Sequence, residues 1–185
     1  MDVSGANAIP AVKSRQDELY NTAGTSFGPA IERLAHAYEA DPDIRRDLVQ
    51  EIHIALWRSF AAFDERCSLR TWLYRVAHNV AISHVIKQRR SKGPGLIGLD
   101  ELDNLPQASS SHEAADRNQD LARLMDFIQQ LQPLDRQVIL LYLEGMDAAS
   151  IGEITGLSAR YVSTKVYRIK GVLARRFNAG GRNEE

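Results

Sequence analysis

The sequence predicts an all-α chain: two small helical domains joined by a flexible acidic linker. Three observations carry this reading. No segment sustains the period-two alternation of a half-buried strand, whereas apolar residues recur every three or four positions over several long stretches. Between those stretches lies a run holding Gly93-Pro94-Gly95, Gly98, Pro106 and Ser109 to Ser111, which is linker in composition. Charge, finally, is sorted into blocks that the overall net charge of −1 conceals. Arg66 to Lys92 holds seven basic residues and no acid, and Gly93 to Asp120 holds six acids against Arg117 alone. Two cationic surfaces are thus separated by an anionic connector.

The expected organisation is a loose N-terminal tail over 1–15, a helical domain over 16–92, the linker over 93–111, a second helical domain over 112–178 and a short tail over 179–185. Asp17 to Tyr38 reads as helical, interrupted near Gly24 and Gly28-Pro29. Asp41-Pro42-Asp43 starts the next helix with an acid cap, a first-turn proline and a second acid near the positive helix end. That helix runs to Phe60, with Leu48, Ile52, Ala55, Leu56 and Ser59 as its core stripe. Ile54 and Trp57 fall on another side, beside Asp47, Gln50 and Glu51. A helix apolar on more than one side either is buried all round or offers a face to a partner, and so small a module favours the partner.

Ser68 is placed to cap a long helix from Leu69 to Arg90, whose expected core stripe is Leu69, Trp72 or Leu73, Val76 and Val80. Its other face shows Arg70, Tyr74, Arg75, His78 and Asn79, and it ends in Lys87-Gln-Arg-Arg90. Arginines, aromatic rings and an asparagine on one face suit phosphate contact, base stacking and base-edge reading. The competing reading puts Trp72 and Tyr74 in the core. In the second domain, helices are expected from His112 to Gln132 and from Leu134 to Glu144.

The last segment is the most informative. Leu157 to Phe177 carries Arg160, Lys165, Arg168, Lys170, Arg175 and Arg176, no acid, and an apolar stripe of Val162, Val166, Ile169, Leu173 and Phe177. That spacing makes one helix with a core face and a face for an anion. Just before it, the short run from Ala149 is closed by Gly156, which suits a left-handed helix end, and Ser158 is a good N-cap. Helix, tight glycine turn and basic amphipathic helix are the sequence form of a helix-turn-helix DNA reader.

Other classes find little support. The hydrophobic fraction of 44% and charged fraction of 25% are those of an ordinary soluble globular protein. Cys67, the sole cysteine, can form no internal disulfide or zinc cluster, which fits a cytoplasmic chain. No apolar run approaches the roughly 20 residues of a membrane span, and no signal peptide is expected. His36, His53, His78, His84 and His112 are scattered without metal-binding spacing, so neither a metal nor another cofactor is expected, and no enzyme.

Asp47-Leu-Val-Gln-Glu51 with Leu56-Trp57, then Thr71-Trp-Leu-Tyr-Arg-Val-Ala-His-Asn79, then Arg89-Arg90, resembles region two of bacterial sigma factors of the extracytoplasmic-function (ECF) class in the sigma-70 family. Leu131-Gln-Pro-Leu-Asp-Arg136, Tyr142-Leu-Glu-Gly145 and the helix-turn-helix are similar to region four of the same class. The resemblance spans Phe27 to Phe177, with the motifs in family order. It implies transcription initiation as the function and RNA polymerase core (the clamp helices of its largest subunit, and its flap) and promoter DNA as partners. It also raises an anti-sigma factor as a partner. The reading set against it is a helix-turn-helix regulator acting without core polymerase.

Residue by residue, the resemblance implies that Asp47, Gln50, Glu51, Ile54 and Trp57 bind polymerase. It gives the minus-ten element to Arg66, Ser68, Arg70, Arg75, His78, Asn79, Lys87, Arg89 and Arg90, with the loop from Phe63 to Ser68 capturing a flipped base. The minus-thirty-five element falls to Arg160, Ser163, Thr164, Lys165, Tyr167 and Arg168. In this family the acidic connector lies in the polymerase's RNA path. The chain departs from the family pattern at Ser83, in place of an acid, and at His78. Further on, Gly152 stands for the favoured Ala, Thr155 for an aliphatic residue and Ser163 for a basic one.

Overall fold

The computed structural model describes residues 8–92 and 117–178, which form seven helices. These are α1 (Ala8–Tyr38), α2 (Pro42–Phe60), α3 (Leu69–Lys92), α4 (Arg117–Gln130), α5 (Pro133–Leu143), α6 (Ala148–Thr155) and α7 (Ala159–Asn178). The expected linker, 93–111, and C-terminal tail, 179–185, lie outside the described residues. The chain divides into two compact units, Met1–Ile86 and Lys87–Glu185.

In the first unit α1 packs along α2 and runs unbroken for 31 residues. Two expectations are thereby corrected: residues 8–15 are helical, and neither Gly24 nor Gly28-Pro29 interrupts the helix. Pro29 is exposed, whereas Ala23, Ala30, Ile31, Leu34 and Tyr38 are buried. Burial of that stripe outweighs the roughly 3 kcal/mol that a mid-helix proline costs and the ~1 kcal/mol for each glycine.

α2 begins as its sequence dictates. The Asp41 carboxylate accepts hydrogen bonds from the amides of Asp43 at 2.9 Å and Ile44 at 3.2 Å, with Pro42 in the first turn. Leu48, Ile52, Leu56 and Phe60, each four residues on, form one buried stripe. α3 starts at Ser68, whose hydroxyl accepts from the Thr71 amide at 3.1 Å.

α3 is turned about its axis from the expected setting. Its buried residues are Thr71, Leu73, Tyr74, Ala77, His78, Ala81 and Val85, while Leu69, Val76 and Val80 are only half-buried. Tyr74 and His78 therefore belong to the core. His78 is 1% exposed, and its Nδ1 lies 3.0 Å from the Tyr38 hydroxyl of α1. The rings of Tyr38 and Tyr74 flank it, and Phe27 of α1 meets Tyr74 edge-on. An imidazole bonded to a phenol buries a polar group without leaving it unsatisfied, so a histidine can sit where a small module needs bulk. Nearly two turns on, His84 pairs with Glu39 at 3.0 Å, with both side chains largely covered. Together these contacts dock α3 on the end of α1.

In the second unit α5, α6 and α7 pack on one another around Val138, Ile139, Leu141, Ile151, Val162 and Ile169. The corner between α4 and α5 is held by Arg136, only 2% exposed. Its guanidinium donates to the carbonyls of Gln129 and Leu131. A cation beside these end carbonyls is matched both to the helix dipole and to acceptors that have no partner within α4. α5 ends at a glycine with φ of 77°, Gly145, so the Tyr142-Leu-Glu-Gly145 motif is a helix stop.

Desolvation lowers the pKa of His78 from 6.5 to about 3. The unfolded chain takes up a proton as the pH falls through 6.5, while the folded state stays neutral until about 3. Stability is therefore fully present above 6.5 and is lost on acidification between those values. At pH 5 the first unit should be less stable than at pH 7.5 by about 2 kcal/mol from this group, at ~1.4 kcal/mol per unit. Trp57 and Trp72, the only tryptophans, both lie in that unit, so urea unfolding followed by their fluorescence reads it directly. His78→Gln, which keeps a partner for Tyr38 but cannot take up the proton, should flatten the pH dependence.

Candidate nucleic-acid and partner faces

The helix-turn-helix is built from short-range contacts. Asp147 caps α6 by accepting from the Ser150 amide at 2.8 Å, and the Ser150 contacts hold its carboxyl below the usual carboxylate range. At the far end Gly156 adopts φ 77° and ψ 9°, and its amide returns to the Gly152 carbonyl at 2.8 Å. Only glycine takes that backbone without strain. The Thr155 hydroxyl donates to the Ile151 carbonyl at 2.8 Å and accepts from the Leu157 amide at 3.4 Å, bridging the turn as no aliphatic side chain would. Ser158 then caps α7, its hydroxyl accepting from the Tyr161 amide at 3.3 Å. A Cβ on Gly152 would stand 2.6 Å from the Leu157 carbonyl oxygen, a backbone atom. The absence of Ala and of an aliphatic residue at these two positions thus has a local cause.

Val162, Val166, Ile169 and Val172 bury one face of α7, and Arg160, Ser163, Thr164, Tyr167 and Arg168 are exposed on the other. Tyr167 is 80% exposed, unusual for an aromatic ring in a packed helix. The hydroxyls of Ser163 and Thr164 donate to the carbonyls of Ala159 and Arg160, which leaves their lone pairs facing out. Lys165 departs from expectation: its ammonium donates to the Asp135 carboxylate on α5 and lies 5.4 Å from the Tyr161 ring centre. Five of the six residues expected to face the minus-thirty-five element share one exposed face; Lys165 is turned inward.

On α3, Asn79 is exposed, Arg75 is half-exposed and Lys87 is exposed. Arg70 is half-buried, its guanidinium 5.8 Å from the Tyr74 ring centre. The side chains of Arg89 and Arg90 lie outside the described residues. His78 is removed from the expected reading face by its burial against Tyr38, whereas Ser68 is exposed while its hydroxyl caps α3. The connecting loop before α3 is anchored by Phe63, buried against Trp72 with ring centres 5.4 Å apart, while the Trp72 indole donates to Ser59 at 3.0 Å. Beyond that anchor Asp64, Glu65 and Arg66 are exposed. Glu65 holds a φ of 63°, a left-handed backbone that costs a non-glycine residue roughly 1–2 kcal/mol.

On α2, Asp47, Gln50, Glu51 and Ile54 are exposed, Ile54 by 50%. Trp57 is half-buried, because α1 reaches it: its indole donates to Asp17 at 2.8 Å and its carbonyl accepts from Gln16 at 2.6 Å. Tyr20 and His53 meet at 3.0 Å one turn away, and Arg15 pairs with Glu65 of the loop. Sequence reasoning missed Gln16 and Asp17, and also Asp135 and Arg136 as packing groups. Asp17 and Tyr20 stand three residues apart on one helix face, the one signal that α1 reaches α2 so early.

Two all-helical units, the second carrying a helix-turn-helix with a basic outer face, define the class of protein. Residues 25–91 match the family model of sigma-70 region 2, and 121–172 that of sigma-70 region 4. The chain belongs to the sigma-70 family, in its ECF class. It is 33% identical over 90 residues to the ECF RNA polymerase sigma factor SigG of Mycobacterium tuberculosis, a match covering 48% of this chain and 23% of that relative. It thus spans under a quarter of the length of that curated relative. Similarity to the ECF RNA polymerase sigma-E factor of Haemophilus influenzae is 24% over 172 residues, covering 89% of this chain and 90% of the relative. Among solved structures, the sigma factor RpoE of Bartonella quintana in complex with the anti-sigma factor NepR shares the fold. It has a TM-score of 0.65 at 19% identity, over 86% of this chain and 96% of that one. Among the described residues no helix is long and apolar enough to cross a membrane.

Gly152→Ala checks the turn. In an open helix this change gains up to ~1 kcal/mol, whereas overpacking a tight site costs about 1–3 kcal/mol. The 2.6 Å approach to Leu157 puts the clash ahead. Thermal unfolding of the variant should therefore occur at a lower temperature than that of the parent.

Proposed function

We propose that this chain is a sigma factor, which binds RNA polymerase core and directs promoter recognition and transcription initiation. The observation that carries the reading is the exposed α7 face of Arg160, Ser163, Thr164, Tyr167 and Arg168, set behind a glycine turn on a helix whose opposite face is core. Two cations flanking polar and aromatic groups match a DNA groove, with the cations at phosphates and the neutral groups toward base edges. A lone module of this kind explains only half the chain. The first unit adds a second cationic helix and, on α2, an exposed apolar residue among acids, which is chemistry for a protein partner.

In this proposal residues 16–92 form the core-binding and minus-ten domain and 112–178 the minus-thirty-five domain. Ile54, Asp47, Gln50, Glu51 and the edge of Trp57 meet the polymerase. Asn79 reads a base, and Arg66, Arg70, Arg75 and Lys87 hold phosphates. The role is non-catalytic and is exercised in the cytoplasm, where polymerase and promoter are. The likeness to a sigma factor solved with an anti-sigma factor supports adding such a protein to the partners.

Core polymerase should create promoter specificity. Alone, the chain offers phosphate contacts whose non-specific affinity is roughly 10⁻⁴–10⁻⁶ M at physiological salt. Footprinting with and without core polymerase, followed by run-off transcription, tests this; tight protection of both elements by the free chain would instead establish a regulator that acts alone. The polymerase face has its own check in Ile54→Ser, which removes an exposed side chain at little cost in folding. It should weaken core binding by about 1–2 kcal/mol in a pull-down titration while helical content holds. Undiminished binding would move the interface off α2.

A further inference from the structure

Lys165 stands at the edge of the α7 face assigned above to DNA, where that face meets the core stripe of Val162 and Ile169, and its side chain is only 18% exposed and that of Asp135 only 10%. The carboxylate projects from the first turn of α5, two residues after Pro133, and takes the ammonium across the α5–α7 contact. The Tyr161 ring, half exposed, lies beside the same ammonium with 5.4 Å from nitrogen to ring centre. Two groups thus fix Lys165, by a direct ion pair and a ring contact, and the side chain is largely buried. Their neighbours Arg160 and Arg168 remain exposed at the surface.

We infer that Asp135 is a positioning residue for the reading helix: by holding Lys165 against α5 it withdraws that cation from the phosphate contacts. The inference rests on the DNA reading proposed above and deepens it. A lysine reaching out from this position would add a sequence-blind attraction along the edge of the face, since a phosphate contact carries no base information. With the ammonium drawn inward, the face keeps the hydroxyls of Ser163 and Thr164 and the ring of Tyr167, and its exposed cations are Arg160 and Arg168. Asp135 thereby trades general affinity for selectivity, although it faces away from the DNA. The pair matches two largely covered charges, so neither is left buried without a counter-charge.

The salt dependence of binding separates this role from a merely structural one, because each phosphate neutralised contributes about −0.9 to the slope of log K against log salt. The probe is a fluorescein-labelled 30-base-pair duplex of mixed sequence (a length of roughly three helical turns), titrated with the full chain by anisotropy across a series of salt concentrations. The double variant Asp135→Asn with Lys165→Gln removes both charges and leaves the net charge unchanged. It should bind with the slope of the parent. Asp135→Asn alone releases the ammonium and should steepen the slope by about 0.9 while tightening binding several-fold at low salt. Circular dichroism of each variant verifies that helices are intact; if Asp135→Asn does not fold, the double variant decides alone. A double variant whose slope is shallower by about 0.9 would overturn the inference, since Lys165 would then already be a phosphate contact. Arg168→Gln serves as the control for the underlying reading. If neither it nor the parent showed salt-dependent binding, α7 would not be a DNA face, and the inference would fall with that reading rather than by itself.

Discussion

The rotation of a helix about its own axis decides what it offers to a partner, and in both units a polar side chain buried against a neighbouring helix sets that angle. In the first unit it is His78, bonded to Tyr38 and sealed by Tyr74. With that imidazole turned toward α1, Ala77 on one side of it is buried and Asn79, about 100° further round the helix, faces outward. Had Val76 and Val80 formed the seam instead, the α3 surface would carry a different set of groups. In the second unit the pair of Asp135 and Lys165 spans α5 and α7, beside a continuous apolar stripe.

Small size explains why polar groups are used in this way. Neither unit buries enough surface to afford a loose seam, and a domain of such length is marginal on hydrophobic burial alone. Hydrogen-bonded groups add direction where apolar packing adds only area. Arg136 fixes the corner of α4 and α5 through two carbonyls, and the indoles of Trp57 and Trp72 are each tied to an oxygen on another element. The same economy shapes the helix-turn-helix, where Thr155, Gly152 and Gly156 close the turn with backbone contacts and one hydroxyl.

A consequence is that core and surface roles lie next to each other in sequence. Trp57 belongs partly to the α1 contact and partly to the exposed α2 face. The loop from Ala61 to Ser68 is anchored at Phe63, tied to α1 through Glu65 and Arg15, and open at Arg66. Such a loop is held at its base and leaves its tip to act, which is a common arrangement for binding segments on a rigid scaffold.

What the sequence determined by itself is everything governed by local chemistry. The caps at Asp41, Ser68 and Ser158, the left-handed Gly156 and the α7 stripe are set by residues within a few positions of one another. Period and capping sufficed to read the all-helical class and the helix-turn-helix, and the ordered motifs sufficed for the family. The tertiary structure alone decided the continuity of α1 through Gly28 and Pro29, the burial of Tyr74 and His78, the hold of Asp17 on Trp57 and the withdrawal of Lys165. The side-chain pairings among these depend on a partner 30 or more residues away, as with Asp135 for Lys165, Tyr38 for His78 and Asp17 for Trp57. A helical pattern shows which residues share a face, but a face with both apolar and polar members does not state which way it points. That is settled only when a second helix arrives with a matching group.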